Sequence, residues 1–282
     1  MILDAHTHIF PPEICRDRVR YLAGEPDFAL IYENPAARLV GVEDLMGALD
    51  SWGARGACSF GFPFTDTGKA ALCNDYVLEA AKEHPGRIIP FACINPALGR
   101  AALREVERCL AAGARGVGEL ASYKVGLGEE VRAALGPIAS LCHEAGVPLL
   151  LHTNEPVGHD YPGKSRMEIG ELYSLVKANR ETTWILAHWG GGLFSYELLK
   201  KETAEVLKNV YYDTSAGPFL YNPAIYRHFI GIAGVRKLLF GTDFPLLELP
   251  RYEKDFEAAE LSEEERTLIL GGNLARLLGI DG

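Results

Sequence analysis

Eight short apolar runs, separated by helical patterns, constrain this 282-residue chain more than any other feature. The runs occupy residues 2–8, 54–60, 88–94, 114–120, 147–153, 183–188, 210–215 and 237–243. They are mostly apolar at odd and even positions alike, as parallel strands covered by helices on their outer face should be. Between them, residues 42–52, 68–83, 101–112, 129–145, 167–179 and 194–207 read as helices, and Gly53, Gly113 and Gly146 stand where C-caps are expected. Eight strand–helix alternations in this length predict a (β/α)8 barrel, the TIM-barrel architecture, as one domain over residues 1–282. The competing arrangement is an open doubly wound sheet. It wants a glycine-rich phosphate turn after its first strand, and Asp4-Ala5-His6-Thr7-His8 is not one.

Surface scaling gives a chain of this mass roughly 12,000 Å² of accessible surface when folded and about 45,000 Å² unfolded, so its core needs no disulfide or partner. The longest interruption of the pattern is residues 9–41, rich in Pro, Arg and Tyr. A loop of that length is expected to act as a lid or a homodimer contact. Residues 252–280 read as helices. Within them Ser262-Glu263-Glu264-Glu265 forms a capping box, and residues 273–278 are expected to close the barrel's bottom.

Lys and Arg number 28 against 38 Asp and Glu, a net charge of −10. Such a chain has no general attraction for nucleic acid or anionic membrane. No apolar run approaches the roughly 18 residues of a membrane span. Motif residues begin at His6, so no signal peptide is expected. The six cysteines form no C-x-x-C pair, and a reduced, cytoplasmic protein is expected. A small molecule is the expected partner.

Four of the eight histidines fall at the C-terminal ends of apolar runs: His6 and His8 in the first, His152 in the fifth and His188 in the sixth. Asp243 ends the eighth. In a barrel those ends converge on one mouth, and residues two apart on a strand face the same way. Taken singly, a strand-end His is more often a core or turn residue. Taken together, the five share one geometric slot in four repeats, and imidazole with carboxylate suits Zn, Fe, Mn or Ni. Zn, as one or two ions per chain, is the first expectation.

The motif Asp4-Ala5-His6-Thr7-His8, followed by His152, His188 and Asp243, resembles the amidohydrolase superfamily of metal-dependent barrels. The stretches 87–96, 188–191, 210–215 and 273–279 resemble its amidohydrolase-related branch, which includes aminocarboxymuconate-semialdehyde decarboxylase. Glu119 ends the fourth run, where the decarboxylases of that branch usually have no ligand and the binuclear hydrolases have a bridging acid or carbamylated Lys. The resemblance then implies His6, His8 and Asp243 on one ion, His152 and His188 on another, and Glu119 between them. With one ion it implies His6, His8, His152 and Asp243, with His188 orienting water or substrate. A structural alternative for Glu119 is a buried pair with a cation such as Lys124.

A bound divalent ion makes hydroxide available near neutral pH, and Asp243 can take that water's proton and pass it on. The expected reaction is therefore hydrolysis of a small ester, lactone or amide. The first alternative is a mononuclear, non-oxidative decarboxylase. A TatD-type deoxyribonuclease and a non-catalytic barrel rank behind it. Expected substrate contacts are Trp189 first, then Tyr123, Lys124 and Asn154, with Phe10, Phe62, His159, Tyr221 and Asn222 on the same loops.

Overall fold

Eight parallel strands follow one another around the barrel in chain order: β1 (Leu3–His8), β2 (Gly56–Phe60), β3 (Ile88–Ala92), β4 (Gly116–Leu120), β5 (Leu149–Leu151), β6 (Trp184–Leu186), β7 (Val210–Asp213) and β8 (Leu238–Leu239). The computed structural model describes residues 1–199 and 201–281, apart from the side chain of residue 201. The seam between β8 and β1 is closed by backbone hydrogen bonds. Ala5 N donates to Phe240 O at 2.7 Å, Asp243 N to His6 O at 3.0 Å and His8 N to Phe244 O at 2.8 Å. The folded chain exposes 12012 Å², as the scaling argument requires.

Two apolar layers hold the barrel. Inside it, Leu3, Ala5, Cys58, Ile89, Cys93, Leu150, Ile185 and Leu239 form one cluster, which Leu274, Ala275 and Leu278 of the helix Asn273–Leu278 join. Outside it, the strands' other faces pack on helices that include Val42–Trp52, Thr67–Glu83, Arg100–Ala111, Glu129–Ala145 and Ile169–Ala178. These lie within two residues of the expected bounds. The capping box forms as expected, with Glu265 N donating to Ser262 Oγ at 3.2 Å and Ser262 N to Glu265 Oε2 at 2.8 Å.

Three expectations need correction. The strands are shorter than the apolar runs: of 237–243 only Leu238–Leu239 is regular strand, because the backbone then turns to deliver Asp243 at a φ of 63°. The helix expected over 194–207 is instead a 3-10 path over His188–Leu198 followed by the helix Lys201–Val206. Trp189, Gly190, Gly191 and Gly192 all have left-handed φ, between 59° and 89°, which no α-helix can include. Residue 200 of that helix and residue 282 of the domain range lie outside the described residues.

The third concerns 9–41, which carries three short helices, Pro12–Arg16, Arg18–Leu22 and Pro26–Tyr32. They dock on the barrel's mouth side through Phe28, whose ring lies 5.2 Å from Phe62 and 4.8 Å from Phe64. Glu25 adds polar anchors, accepting from Thr65 N at 2.7 Å and Asp66 N at 2.8 Å.

Candidate metal centre

His6 and His8 lie on one face of β1, so both rings point into the mouth of the barrel. Glu119 comes from β4, His152 follows β5, His188 follows β6 and Asp243 follows β8. These six side chains converge. Donor atoms of His6, His8 and Glu119, of His6, His188 and Asp243, and of Glu119, His152 and His188 form sets whose members lie within 4.8 Å of one another. Asp243 is the most accessible of the carboxylates, its side chain 17% exposed. His188 and Asp243 have left-handed backbones, with φ of 54° and 63°. Such conformations are sparsely populated by residues other than glycine and gather at functional sites.

Each imidazole is oriented by a hydrogen bond on its outer nitrogen. His6 Nδ1 donates to Asp213 Oδ2 at 2.9 Å, and His8 Nδ1 donates to Gly61 O at 3.0 Å. His152 Nε2 donates to Gly163 O at 2.9 Å, and His188 Nδ1 to Ser215 O at 3.0 Å. Carbonyls and carboxylates only accept, so those outer nitrogens carry the protons. The inner nitrogens, Nε2 of His6, His8 and His188 and Nδ1 of His152, then face the cluster with lone pairs when the rings are neutral. Fixing of the tautomer by an outer partner is how metal-binding histidines are held.

The donor set fits a divalent cation. His6 Nε2 and His8 Nε2 are 3.3 Å apart, a close approach of two lone pairs that a cation between them relieves. Asp243 Oδ1 completes a triangle, 3.6 Å from His6 Nε2 and 3.4 Å from His8 Nε2. Tetrahedral ligands on Zn are separated by about 3.3 Å, given bond lengths near 2.0 to 2.1 Å. Among the described residues, no Lys or Arg pairs with Glu119, Asp213 or Asp243, so the counter-charge comes from imidazole or a metal alone.

Burial by itself would raise the Glu119 carboxyl, but His152 and His6 hold it well below the usual carboxylate range. Burial likewise opposes ionisation of His6, yet Asp213, Glu119 and Asp243 push its pKa up to about 10. Asp243 is held low against burial by His8, His6 and His188.

Glu119 lies beside His152, Oε1 to Nδ1 at 3.0 Å, a contact that becomes an ion pair when the ring carries its second proton, while Lys124 is exposed. The expected substrate contacts fall in different places. Tyr123 is buried beside the cluster, its ring 4.7 Å from His152. Trp189 is fully buried behind it, packed on Tyr226 at 4.8 Å and Phe229 at 5.7 Å. Asn154 is spent on its own loop: Oδ1 accepts from Ser165 N at 2.9 Å and Nδ2 donates to Ser165 O at 3.1 Å. Phe10 and Phe62 are buried in the aromatic packing around Phe28, Tyr221 is half-buried against Trp189, and His159 and Asn222 are exposed.

Asp213 escaped the sequence reading. It ends β7, the same slot as the other donors, and it is fully buried. Besides His6 it accepts from His188 N and Ser215 N, each at 3.0 Å, and from Ser215 Oγ. Gly241, two residues beyond β8, lets it reach His6, because a Cβ there would stand 2.9 Å from the His6 Cβ and 3.4 Å from that of Asp213.

Known proteins share this architecture. The amidohydrolase family model matches residues 3–280. The curated 2-amino-3-carboxymuconate-6-semialdehyde decarboxylase of Dictyostelium discoideum is 22% identical over 246 residues, covering 75% of this chain and 67% of that protein. The dihydroxybenzoic acid decarboxylase of Polaromonas sp. JS666, solved with manganese and the inhibitor 2-nitroresorcinol, matches with a TM-score of 0.71 at 19% identity over 99% of this chain and 97% of its own. A structure from Acinetobacter baumannii, named a probable 2-pyrone-4,6-dicarboxylic acid hydrolase, matches with a TM-score of 0.61 at 16% identity over 99% of both chains. At those identities the solved structures speak for the fold. With the family match running from the first strand to the last helix, the chain belongs to the amidohydrolase family.

Proposed function

We propose that the protein is a mononuclear, divalent-metal-dependent, non-oxidative decarboxylase of a small carboxylic acid. The observation that carries this reading is the triangle of His6 Nε2, His8 Nε2 and Asp243 Oδ1, with edges of 3.3, 3.6 and 3.4 Å around one point. One ion satisfies all three, and His152 Nδ1 faces the same cluster. The curated relative is a decarboxylase, and so is the manganese-bound structural match. They support this reading over the hydrolysis expected from Glu119.

A divalent ion held there would supply positive charge for a substrate oxygen. The chain's own groups do the rest. His6, His8, His152 and Asp243 would hold the ion, and Phe60, edge-on to His6 at 5.1 Å and to His8 at 4.7 Å, walls the cluster with apolar surface. His188 Nδ1 carries the bond to Ser215 O, and its Nε2 faces the cluster 3.5 Å from Glu119 Oε1. It handles the proton. The bond from the substrate carbon to its carboxylate breaks, CO2 leaves and the electron pair stays on carbon; His188, when its Nε2 also carries a proton, gives that proton to the carbon and returns to the neutral ring with its lone pair on Nε2.

A second reading has its own support. Glu119 belongs to two donor sets, with His6 and His8 and with His152 and His188, as a carboxylate bridging two ions in a hydrolase would. Imidazole and carboxylate suit Zn and Mn alike. The deciding experiment incubates the metal-loaded protein with a panel of small conjugated carboxylic acids and lactones. Release of CO2 supports the decarboxylase. Ring opening of a lactone without CO2 overturns it in favour of the hydrolase.

A further inference from the structure

Three of the four rings in the cluster take their outer hydrogen bonds from positions in a strand or within two residues of one: His6 from Asp213, which ends β7, His8 from Gly61 and His188 from Ser215. His152 differs. Its Nε2 donates to Gly163 O at 2.9 Å, and Gly163 lies well inside the loop between β5 and the helix Ile169–Ala178. Loops are ordinarily the more mobile part of a fold, and residues 156–160 of this one are all exposed. A fixed carbonyl there needs its own support.

Lys164 gives that support from within the loop, its side chain only 10% exposed. An ammonium has three N–H bonds and no acceptor. Here Nζ donates to Val157 O at 2.8 Å and to His159 O at 3.2 Å, and it lies 3.3 Å from Glu155 Oε1. Three converging acceptors match its three N–H bonds, which is more than a solvated surface lysine needs. The other Glu155 oxygen accepts from Tyr161 Oη at 2.9 Å. Asn154 shuts the ends of the loop, its Oδ1 accepting from Ser165 N at 2.9 Å and from Ser165 Oγ at 2.8 Å.

The peptide unit joining Gly163 to Lys164 links this loop to the metal centre. Its N–H donates to Tyr161 O at 2.9 Å, and its carbonyl accepts from His152. In a planar trans peptide those two groups point in opposite directions. Fixing the N–H on Tyr161 therefore aims the carbonyl at His152. Tyr161 is held by Glu155, and Glu155 by Lys164.

We propose that Lys164 is a positioning residue for the metal centre. Its ammonium gathers Val157 O, His159 O and the Glu155 carboxylate, and so sets the plane of the Gly163–Lys164 peptide. That plane keeps the His152 proton on Nε2 and leaves the Nδ1 lone pair facing the cluster. Lys164 acts only through its neighbour's carbonyl. The proposal rests on the reading of His152 as a metal donor.

The test compares Lys164→Met with the unaltered protein, using Zn as the probe metal. Met keeps the length of the stem and loses all three donors. Zn affinity is measured against a chelating competitor, and the His152 ring is followed by nuclear magnetic resonance in the Zn-loaded protein. The unaltered protein should show a slowly exchanging proton on His152 Nε2. In Lys164→Met that proton should exchange fast enough to vanish, and Zn affinity should fall about 10-fold, the low end of what outer partners of metal-binding histidines contribute. A lysine that merely steadied the loop would lower the melting temperature and move neither reading. Either reading left unchanged overturns the proposal. Lys164→Gln, too short to reach all three acceptors, is read in the same way should Lys164→Met not fold. His152→Ala separates the two claims: if it leaves Zn affinity unchanged, His152 is not a donor, and the Nε2 proton alone then decides the role of Lys164.

Discussion

His6 and Asp213 lie 207 positions apart in the chain, yet His6 Nδ1 stands 2.9 Å from Asp213 Oδ2. That bond passes the backbone beyond β8 at Gly241, where no side chain intervenes. It aims His6 Nε2 at the donor cluster, and the same carboxylate receives the backbone N–H of His188. One buried group thus sets two of the cluster's histidines.

Asp213→Asn should therefore weaken metal binding without touching a donor atom. An amide can present its NH2 to His6 Nδ1, which favours the wrong tautomer. Loss of outer partners of this kind costs about 10- to 100-fold in metal affinity. Titration with a chelating competitor measures it. Unaltered affinity would show that Asp213 does not set the His6 tautomer.

Elemental analysis of the purified protein should find about one ion per chain, because one ion meets the His6, His8 and Asp243 donors together. Glu119→Gln should leave that ion in place. Two ions in the unaltered protein, falling to one in the variant, would restore the bridged arrangement. The usual separation of a bridged pair, about 3.5 to 4 Å, depends on an anion between the two charges.

Gly191→Ala should destabilise the fold by about 2 kcal/mol or more, combining left-handed backbone strain with a steric clash. Gly191 has a φ of 59°, and a Cβ there would lie 2.3 Å from Asn154 O. The clash pushes the segment after His188 against the loop that holds His152. Chemical denaturation gives the stability change, and a value within error of zero would refute the argument.

Glu265 predicts the acid limb of stability. Its carboxylate accepts from Arg227 Nη1 and Nη2 at 2.9 and 2.8 Å, and Arg227 first, then Ser262, lowers its pKa to about 2. A depressed carboxylate stabilises the fold above its unfolded pKa, and the contribution is lost as pH falls from about 4.5 toward 2. Because the pair is partly open to solvent, its worth is about 1 kcal/mol. Glu265→Gln should melt lower than the unaltered protein at pH 7, and the two should converge near pH 2.

Much of this protein follows from local sequence. A strand buried on both faces must be apolar throughout, so eight apolar runs betray eight strands. A donor at a strand's C-terminal end must face the barrel mouth, so His6, His8, Glu119, His152, His188 and Asp243 could be gathered before any coordinates. What local sequence could not supply were the partners of those donors. Whether His152 offers Nδ1 or Nε2 depends on Gly163 O, and whether His6 is aimed at all depends on Asp213; both are products of closure around the barrel. The same holds for Tyr32. In the sequence it is one of several aromatics in a long interruption, and only docking of that segment through Glu25 and Phe28 brings it to Phe62 and Tyr123. Strand identity is written in periodicity, which is short-ranged. Side-chain pairing is decided by contacts between residues far apart in the chain, and those exist only once the barrel has closed.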